Sequence, residues 1–152
     1  MIYLIATIKE RKTEYMRTYN RLIEMGVPDN DIIIDFGYKH IDVPTLKKDF
    51  HLLLYRFIKD FVPMMIERGE DLVYLEDNVY PLKRVDEIEI DYEKINWLGY
   101  IFNQKSFICG IKYVYFPISI LKEIPTKVQY QHIDRWLKNY AEKNNILKID
   151  KP

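Results

Sequence analysis

The chain has 152 residues, which fits one domain over residues 1–152, and 48% of them are hydrophobic, enough for a core. Lys and Arg number 23 and Asp and Glu also number 23, so no net charge attracts the protein to nucleic acid or to a membrane surface. No apolar run approaches the roughly 18 residues of a membrane helix. The single cysteine excludes an internal disulfide and the N-terminus lacks a basic leader, so we expect a cytoplasmic protein without a transmembrane segment.

The first part of the chain predicts a β-α-β unit. Residues 2–7 are a continuous apolar run, typical of a central parallel strand. Over residues 12–25 apolar side chains recur at helical spacing, and Gly26 and Pro28 end that helix. Residues 31–36 predict a second buried strand, which we expect to follow a parallel, right-handed connection.

A long helix and a third strand come next. After a loop at residues 43–45, apolar residues at helical spacing predict a helix over residues 46–61, which Pro63 should kink or interrupt. Residues 72–75 are rich in β-forming residues and predict a buried strand. We expect the three strands to be adjacent and central in a mixed or mainly parallel sheet.

The second half of the chain predicts a mixture of short elements. Residues 86–91 fit either an edge strand or a helical turn. The other predicted elements are strands at residues 95–102, 112–116 and 146–149, a short helix at residues 118–124, and a last helix with Ile133, Trp136, Leu137 and Tyr140 on one face. The aromatic residues of these strands, Trp97, Tyr100, Tyr113 and Tyr115, are expected in the core, with stacking on a sugar or base as the alternative.

Oxygen-bearing side chains follow directly after the third predicted strand. They are Glu76, Asp77 and Asn78. In open α/β sheets, ligands bind beyond the carboxyl ends of the strands. Mg²⁺ and Mn²⁺ prefer carboxylate and amide oxygens and often take their remaining ligands from phosphate and water. This stretch therefore predicts a metal–diphosphate site, and a solvated acidic turn is the alternative.

Charged residues also follow the first two strands. Arg11 lies just beyond the first strand, where a guanidinium can bind a phosphate through two hydrogen bonds; it is otherwise a solvated basic residue. Asp35 ends the second strand, where its carboxylate can accept a hydrogen bond from a base or a ribose; it is otherwise a turn or cap residue.

Five landmarks stand in one order along the chain. They are Ile-Ala-Thr at residues 5–7 with Arg11, Leu-Glu-Asp-Asn-Val at residues 75–79, Trp-Leu-Gly-Tyr at residues 97–100, Gly-Ile-Lys-Tyr-Val-Tyr at residues 110–115, and His-Ile-Asp at residues 132–134. This order resembles the GT-A glycosyltransferases, and most of all glycosyltransferase family 25, the lipooligosaccharide and collagen galactosyltransferase type, in a shortened form. The sequence departs from the family at Asn78, where the family usually has a carboxylate, and at Trp97, where it has tyrosine.

The resemblance implies a single-domain, Rossmann-like GT-A fold, in which helices flank a central mixed, mainly parallel sheet. It implies metal-assisted, inverting transfer of a sugar from a nucleotide-diphosphate donor to a hydroxyl of a glycan, lipid or protein acceptor. The donor-binding residues would be Thr7, Arg11, Asp35, Glu76 and Asp77, and Mn²⁺ or Mg²⁺ would be held by Asp77, Asn78 and His132.

The resemblance also implies a general base. Asp134 matches the family position near the donor site and would take the proton of the acceptor hydroxyl. An N-cap role is the alternative for Asp134, and His132 is an alternative base.

A second hypothesis is a catalytically weakened nucleotide-sugar-binding or assembly module on the same fold. Asn78 and the short chain favour the module, whereas Asp77 and Asp134 favour the enzyme. A small carboxylate-metal nuclease is a weaker third reading, because such enzymes need more convergent acidic residues and a basic surface. The sequence leaves the donor sugar, the acceptor and a homo-oligomer open.

Overall fold

A computed structural model of the chain describes residues 1–36, 56–98, 113–127 and 133–149. Six strands form one sheet: β1 (Ile2–Ala6), β2 (Ile32–Asp35), β3 (Leu72–Glu76), β4 (Ile95–Trp97), β5 (Tyr113–Phe116) and β6 (Leu147–Ile149). Their order across the sheet is β2-β1-β3-β5-β4-β6. Neighbouring strands pair in parallel except on the two sides of β5, which is antiparallel to β3 and to β4. The chain is therefore an α/β protein with a mixed, mostly parallel sheet, compatible with a Rossmann-like fold.

The described α-helices are α1 (Lys12–Glu24), α2 (Val62–Arg68), α3 (Ile118–Leu121) and α4 (Ile133–Lys143). A π-helical segment (Phe57–Phe61) leads directly into α2, and short 3₁₀ helices lie at Lys9–Arg11, Asp29–Asp31 and Val85–Glu87. The helix over α1 forms as predicted, because Tyr15, Thr18 and Leu22 are spaced to share one buried face. No described helix is long and apolar enough to cross a membrane.

Helices cover both faces of the sheet. Side chains alternate along β1, so Tyr3 and Ile5 pack with Tyr15 and Leu22 of α1. We call this the α1 face. The other side chains of β1 pack on the opposite face with residues of the π-helical segment, α2, α3 and α4, among them Phe57, Met65, Leu121 and Leu137. The sheet is thus the middle of three layers.

β1 and β3 are interior strands of the sheet, each with a neighbour on both sides. All five residues of β1 are buried, and β3 is buried from Leu72 to Leu75. Their burial confirms that these apolar runs are central strands. β2 is adjacent to β1 as predicted, but it is the outermost described strand on its side and is only half-buried. The prediction that β2 is central is therefore wrong, because its apolar run does not distinguish a covered edge strand from a central one.

The order of the strands reverses between β1 and β3. From β1 the chain continues to β2 on one side, and from β3 it continues to β4 and β5 on the other side. In doubly wound sheets this reversal leaves a crevice at the carboxyl ends of the two strands, where ligands bind. The topology therefore makes the carboxyl ends of β1 and β3 the place to search for a site.

The structure tests three local predictions, on the helix around Pro63, on residues 86–91 and on the short helix that begins at Ile118. Pro63 does mark an interruption, since the helix changes from π to α at Val62. The edge-strand alternative for residues 86–91 is wrong, because the 3₁₀ helix Val85–Glu87 begins there and no described strand follows before Ile95. The short helix ends earlier than predicted, at Leu121.

The remaining strands and the last helix agree with their predictions where they are described. β5, α4 and β6 form, and β4 covers the first part of the strand predicted at residues 95–102. Trp97, Tyr113 and Tyr115 are buried, which confirms them as core residues. The loop at residues 43–45, most of the helix predicted at residues 46–61, and Tyr100 lie outside the described residues.

Candidate functional site

Two polar residues lie side by side at the carboxyl ends of the central strands. Thr7 directly follows β1 and Asp77 directly follows β3, and the last residues of these strands, Ala6 and Glu76, pair with each other. Both polar residues belong to the α1 face, because they continue the alternation of Ile5 and of Leu75. Thr7 is 3% exposed and Asp77 is 8% exposed.

The Asp77 carboxylate accepts three hydrogen bonds. Arg11 donates from Nε to Oδ2 at 2.5 Å and from Nη2 to Oδ1 at 3.0 Å. Thr7 Oγ1 donates to Oδ2 at 2.8 Å. The two bonds from Arg11 form the paired geometry in which a guanidinium binds a carboxylate most strongly. We call this contact the Arg11–Asp77 pair.

The guanidinium of this pair is also accessible. The Arg11 side chain is 42% exposed, whereas that of Asp77 is 11% exposed. The hydrogen bond to Asp77 raises the pKa of Arg11 above its ordinary value. Arg11 therefore keeps its charge, is oriented by Asp77, and faces solvent where an anion can approach it.

Helix α1 holds the segment that contains Asp77. Thr18 Oγ1 lies 2.9 Å from the carbonyl oxygen of Asp77 and 2.6 Å from that of Val79, so its hydroxyl donates to this turn. Further along the helix, Arg21 Nε donates to the Pro81 carbonyl at 2.7 Å. The chain after β3 is thus fixed to α1 by polar bonds at two successive places.

Contacts between arginines of α1 and the Tyr80 ring also hold the chain after β3 against this helix. The guanidinium carbons of Arg17 and Arg21 each lie 5.0 Å from the centre of the Tyr80 ring. This is within the range of a cation–π interaction. Helix α1 therefore positions both Arg11 at its start and the turn that carries Asp77.

A second arginine–carboxylate pair ends β2. Arg56 donates from Nη2 to Asp35 Oδ1 at 2.6 Å and from Nε to Oδ2 at 3.2 Å. The Asp35 backbone carbonyl accepts a hydrogen bond from the Thr7 backbone N–H at 3.0 Å. Asp35 therefore lies at the same edge of the sheet as Thr7, with its carboxylate bound to Arg56.

The other predicted site residues lie around this edge or outside the described residues. Glu76 is half-buried at the end of β3, and Asn78 is exposed in the turn. Asp134 is half-buried in the first turn of α4. Asp134 is preceded by a helical residue, Ile133, so it lies inside α4 and not at its N-cap. His132 lies outside the described residues.

Helix α4, which carries Asp134, packs on the face of the sheet opposite the α1 face. After α4 the chain enters β6, whose first residue, Leu147, pairs with Ile95 at the start of β4. The C-terminal end of α4 therefore lies at the amino edge of the sheet. Eleven helical residues span about 16 Å, so a helix that runs antiparallel to β6 would begin near the carboxyl edge.

The oxygen atoms of this turn are of the type that binds a hard divalent cation, but the carboxylate of Asp77 is already hydrogen-bonded. The side-chain oxygens of Glu76, Asp77 and Asn78 are of the kind that Mg²⁺ and Mn²⁺ bind. Both carboxylate oxygens of Asp77 already accept hydrogen bonds from Arg11 or Thr7. Among the described residues, no group of three or more His, Cys, Asp and Glu side chains is arranged to hold a metal ion.

The sequence predicts the site residues at the strand ends but not the residues that hold them. Thr18 and Arg56 are not among the site residues that the sequence predicts. Thr18 carries a weak signal, because it is a polar residue between Tyr15 and Leu22 on the buried stripe of α1. Arg56 has no signal, since its partner is 21 residues away.

Comparisons with known proteins assign no family. A scan against protein-family models gives no match, and a search of curated proteins gives no match either.

Proposed function

We propose that the chain is a glycosyltransferase of the GT-A fold that binds a nucleotide-diphosphate sugar at the carboxyl ends of β1 and β3. The observation that carries the proposal is the convergence of Thr7, Arg11 and Asp77 where the strand order reverses. The mixed, mostly parallel sheet is also of the kind that the resemblance to GT-A enzymes implies.

In this proposal Arg11 binds the diphosphate of the donor. Its guanidinium neutralises charge that develops on the diphosphate as the sugar leaves. Asp35 and Glu76 would contact the ribose or base, and Thr7 holds Asp77 in place. A divalent cation, Mn²⁺ or Mg²⁺, held by Asp77, Asn78 and His132 would supply further neutralisation of the leaving group.

The acceptor would approach from the side of α4. Asp134 would take the proton of the acceptor hydroxyl, with inversion at the transferred sugar. The acceptor class, a glycan, lipid or protein, and a cytoplasmic location are part of the same proposal. They rest on the sequence alone.

The second candidate function is a module that binds a nucleotide sugar and does not transfer it. Its support is that Asp77 has no carboxylate oxygen without a hydrogen bond and that the next residue is the uncharged, exposed Asn78. The two candidates share the nucleotide site and differ in transfer, so a binding assay followed by a transfer assay separates them.

The test of the nucleotide site compares two arginines. Thermal melts are recorded with UDP, GDP and CMP sugars, with and without Mn²⁺, for the wild type, Arg11→Gln and Arg84→Gln. Arg84 is the matched control, because it also binds an aspartate through two hydrogen bonds, to Asp86 at 2.9 and 2.7 Å. The Arg84 side chain is 51% exposed, comparable to that of Arg11 at 42%.

We expect one nucleotide sugar to raise the melting temperature of the wild type and of Arg84→Gln. A ligand at 100 times its Kd stabilises the folded state by about 2.7 kcal/mol, and each kcal/mol corresponds to roughly 2–4 °C for a chain of this size. Arg11→Gln should weaken binding by about tenfold or more, since hydrogen bonds to charged groups contribute about 1.5–3 kcal/mol. Equal nucleotide responses in Arg11→Gln and Arg84→Gln, or none in any protein, contradict the site.

A further inference from the structure

We propose that a surface patch beside α1 binds the surface of an anionic lipid membrane. We call it the Leu82 patch, and it consists of Arg17, Arg21, Tyr80, Leu82 and Lys83. None of these residues belongs to the candidate site at the strand ends, so membrane binding does not depend on the proposed function. The chain as a whole carries no net charge, so the attraction has to come from this local group.

Leu82 is the most exposed large hydrophobic side chain among the described residues, at 76%. A single exposed leucine is common on protein surfaces and indicates nothing by itself. Here Tyr80 is also 42% exposed, whereas Pro81 between them is buried. Two apolar side chains therefore project from one short segment, and the exposed Lys83 follows directly. An aliphatic side chain with a tyrosine and basic residues around it is the composition of a membrane-interface anchor.

The backbone around Leu82 is fixed to the rest of the molecule. Arg21 donates to the Pro81 carbonyl from Nε at 2.7 Å, and its Nη2 makes a longer bond of 3.5 Å to the Leu82 carbonyl. The Tyr113 hydroxyl also donates to the Lys83 carbonyl at 3.5 Å. These bonds hold the leucine in its exposed position. Little conformational freedom of the backbone is therefore lost when the side chain enters a membrane.

The basic side chains of the patch are only partly neutralised. Arg21 and the neighbouring Arg84 are bound to carboxylates. Arg17 and Lys83 are exposed, and neither forms an ion pair with a carboxylate in the part of the chain that the structure describes. Phosphate and carboxylate groups of anionic lipids complement these two cations. Each Lys or Arg near an anionic membrane raises the affinity by about fivefold.

The protruding leucine favours a membrane over other anionic partners. A nucleic acid supplies phosphates but no apolar surroundings for Leu82. The Tyr80 ring that could stack on a base is already contacted by Arg17 and Arg21, whose guanidinium carbons lie 5.0 Å from its centre. A protein partner has to offer a pocket that matches the leucine, whereas lipid chains rearrange around an inserted side chain. With one leucine and two unpaired cations, the binding should be weak, reversible and sensitive to salt.

The position of the patch has a consequence for the proposed function. Tyr80 belongs to the same segment after β3 as Asp77, and α1 holds this segment through Thr18 and through the arginines on the Tyr80 ring. A membrane at the patch would therefore lie near the candidate site. If the chain transfers a sugar, a lipid is the acceptor class that this arrangement presents, and this consequence alone rests on the proposed function.

The experiment measures co-sedimentation of the full chain with lipid vesicles, without a nucleotide and without a transfer reaction. The vesicles consist of phosphatidylcholine alone or of phosphatidylcholine with phosphatidylserine, at low and at high salt. The variants are Leu82→Ser and the double variant Arg17→Gln/Lys83→Gln. In a separate measurement, Leu82→Trp reports insertion through its fluorescence, with the wild type as the blank for the native tryptophans.

The matched controls lie on elements that pack on the opposite face of the sheet. Ile66→Ser replaces a 38% exposed aliphatic side chain of α2. Arg68→Gln/Lys122→Gln removes one exposed arginine and one exposed lysine, at the end of α2 and directly after α3. Thermal melting checks that each variant folds, which we expect because all the replaced side chains are exposed.

We expect the wild type and both controls to bind the phosphatidylserine vesicles more tightly than the phosphatidylcholine vesicles, and less tightly at high salt. Leu82→Ser should lower the affinity about tenfold, because moving a leucine side chain out of water contributes at least that factor. Arg17→Gln/Lys83→Gln should lower it about twentyfold at low salt and much less at high salt. The emission of Leu82→Trp should shift to shorter wavelengths on binding, because the indole leaves water.

The contrary outcomes are distinct from one another. If the wild type does not bind the phosphatidylserine vesicles, the proposal is wrong and the proposed function stands, since that function requires a nucleotide and not a membrane. Equal losses in Leu82→Ser and Ile66→Ser place the contact elsewhere on the surface. Binding without a Leu82 effect and without an emission shift contradicts insertion. Self-association that Leu82→Ser abolishes, in a wild type that ignores vesicles, makes the patch a contact between copies of the chain.

Discussion

At the scale of single residues, carboxylates at two strand ends each have an arginine as a partner. Asp77 binds Arg11 and Asp35 binds Arg56, in both cases through two hydrogen bonds. In both pairs the arginine side chain is more exposed than the carboxylate, at 42% against 11% and 29% against 12%. A ligand with anionic groups therefore meets guanidinium groups first at this edge of the sheet.

Asp134 is the residue on which the proposed transfer reaction depends. Replacement by Asn should lower the transfer rate by about two to four powers of ten, because Asn cannot take the proton of the acceptor hydroxyl. The melting temperature should change little, since Asn keeps the shape of the side chain and can still form hydrogen bonds. Transfer rate, nucleotide-sugar affinity and melting temperature are measured together.

The control for this prediction is Glu142→Gln. Glu142 lies near the other end of α4, with Oε1 3.9 Å from Lys138 Nζ. Its replacement by Gln removes one carboxylate from the same helix. If Asp134→Asn transfers sugar at the wild-type rate, Asp134 has only a structural role in α4 and is not the general base.

At the scale of elements, helix α2 ends at a residue with a left-handed backbone. Gly69 has φ +68°, and its N–H bonds back to the carbonyl of Ile66. An added Cβ would meet no atom within 4 Å, so backbone strain is the dominant effect of a substitution. Gly69→Ala should therefore lower the free energy of unfolding by about 1 kcal/mol, and Gly69→Asn by less, because Asn tolerates this conformation better.

Urea unfolding of the two variants checks this prediction. The order of the midpoints should be wild type, then Gly69→Asn, then Gly69→Ala, with unchanged slopes. If Gly69→Ala is as stable as Gly69→Asn, the end of α2 is not held in the left-handed conformation in solution.

The elements that the sequence predicts well are those with a long, regular pattern. α1, α4 and the central strands β1 and β3 follow from their apolar periodicity. The edge position of β2 could not be predicted, because a short apolar run does not report how many neighbours a strand has. The π-helical segment before α2 has no sequence pattern of its own.

The candidate site also has residues that the sequence predicts and residues that it does not. Thr7, Arg11, Asp35 and Asp77 could each be placed at a strand end, because parallel strands bring their carboxyl ends to one edge. Their partners could not be predicted, since the Arg11–Asp77 pair joins residues 66 positions apart. Such pairing depends on how α1 lies on the sheet and not on local sequence.

At the scale of the whole molecule, buried tyrosines make the fold sensitive to alkali. Burial, with Asp86 and Asp31 nearby, raises the pKa of Tyr3 to about 12. Burial is also the largest cause of the raised pKa of Tyr113 and of Tyr115. An unfolded tyrosine has a pKa of about 10, so above that pH the folded state binds more protons than the unfolded state.

The sign of the effect follows from this difference in proton binding. The stabilisation is fully present below about pH 10 and is lost as pH rises toward and through the folded-state pKa. The free energy of unfolding should therefore fall between pH 10 and 12, and Tyr3→Phe should reduce the fall. Denaturant unfolding at several pH values tests this, with Tyr92→Phe as a control because Tyr92 is 64% exposed. An identical pH profile for Tyr3→Phe and the wild type would contradict the prediction.

The strand order also has a consequence for biosynthesis. β1 pairs with β2 on one side and with β3 on the other, and 36 residues lie between the end of β2 at Asp35 and the start of β3 at Leu72. Ribosomes add about 5–20 residues per second, so roughly 2–7 s separate the arrival of these two strands. During that interval one edge of β1, apolar along its whole length, has no native neighbour and is open to pairing with other nascent chains. Slower translation of the segment between the two strands should increase aggregation or dependence on chaperones.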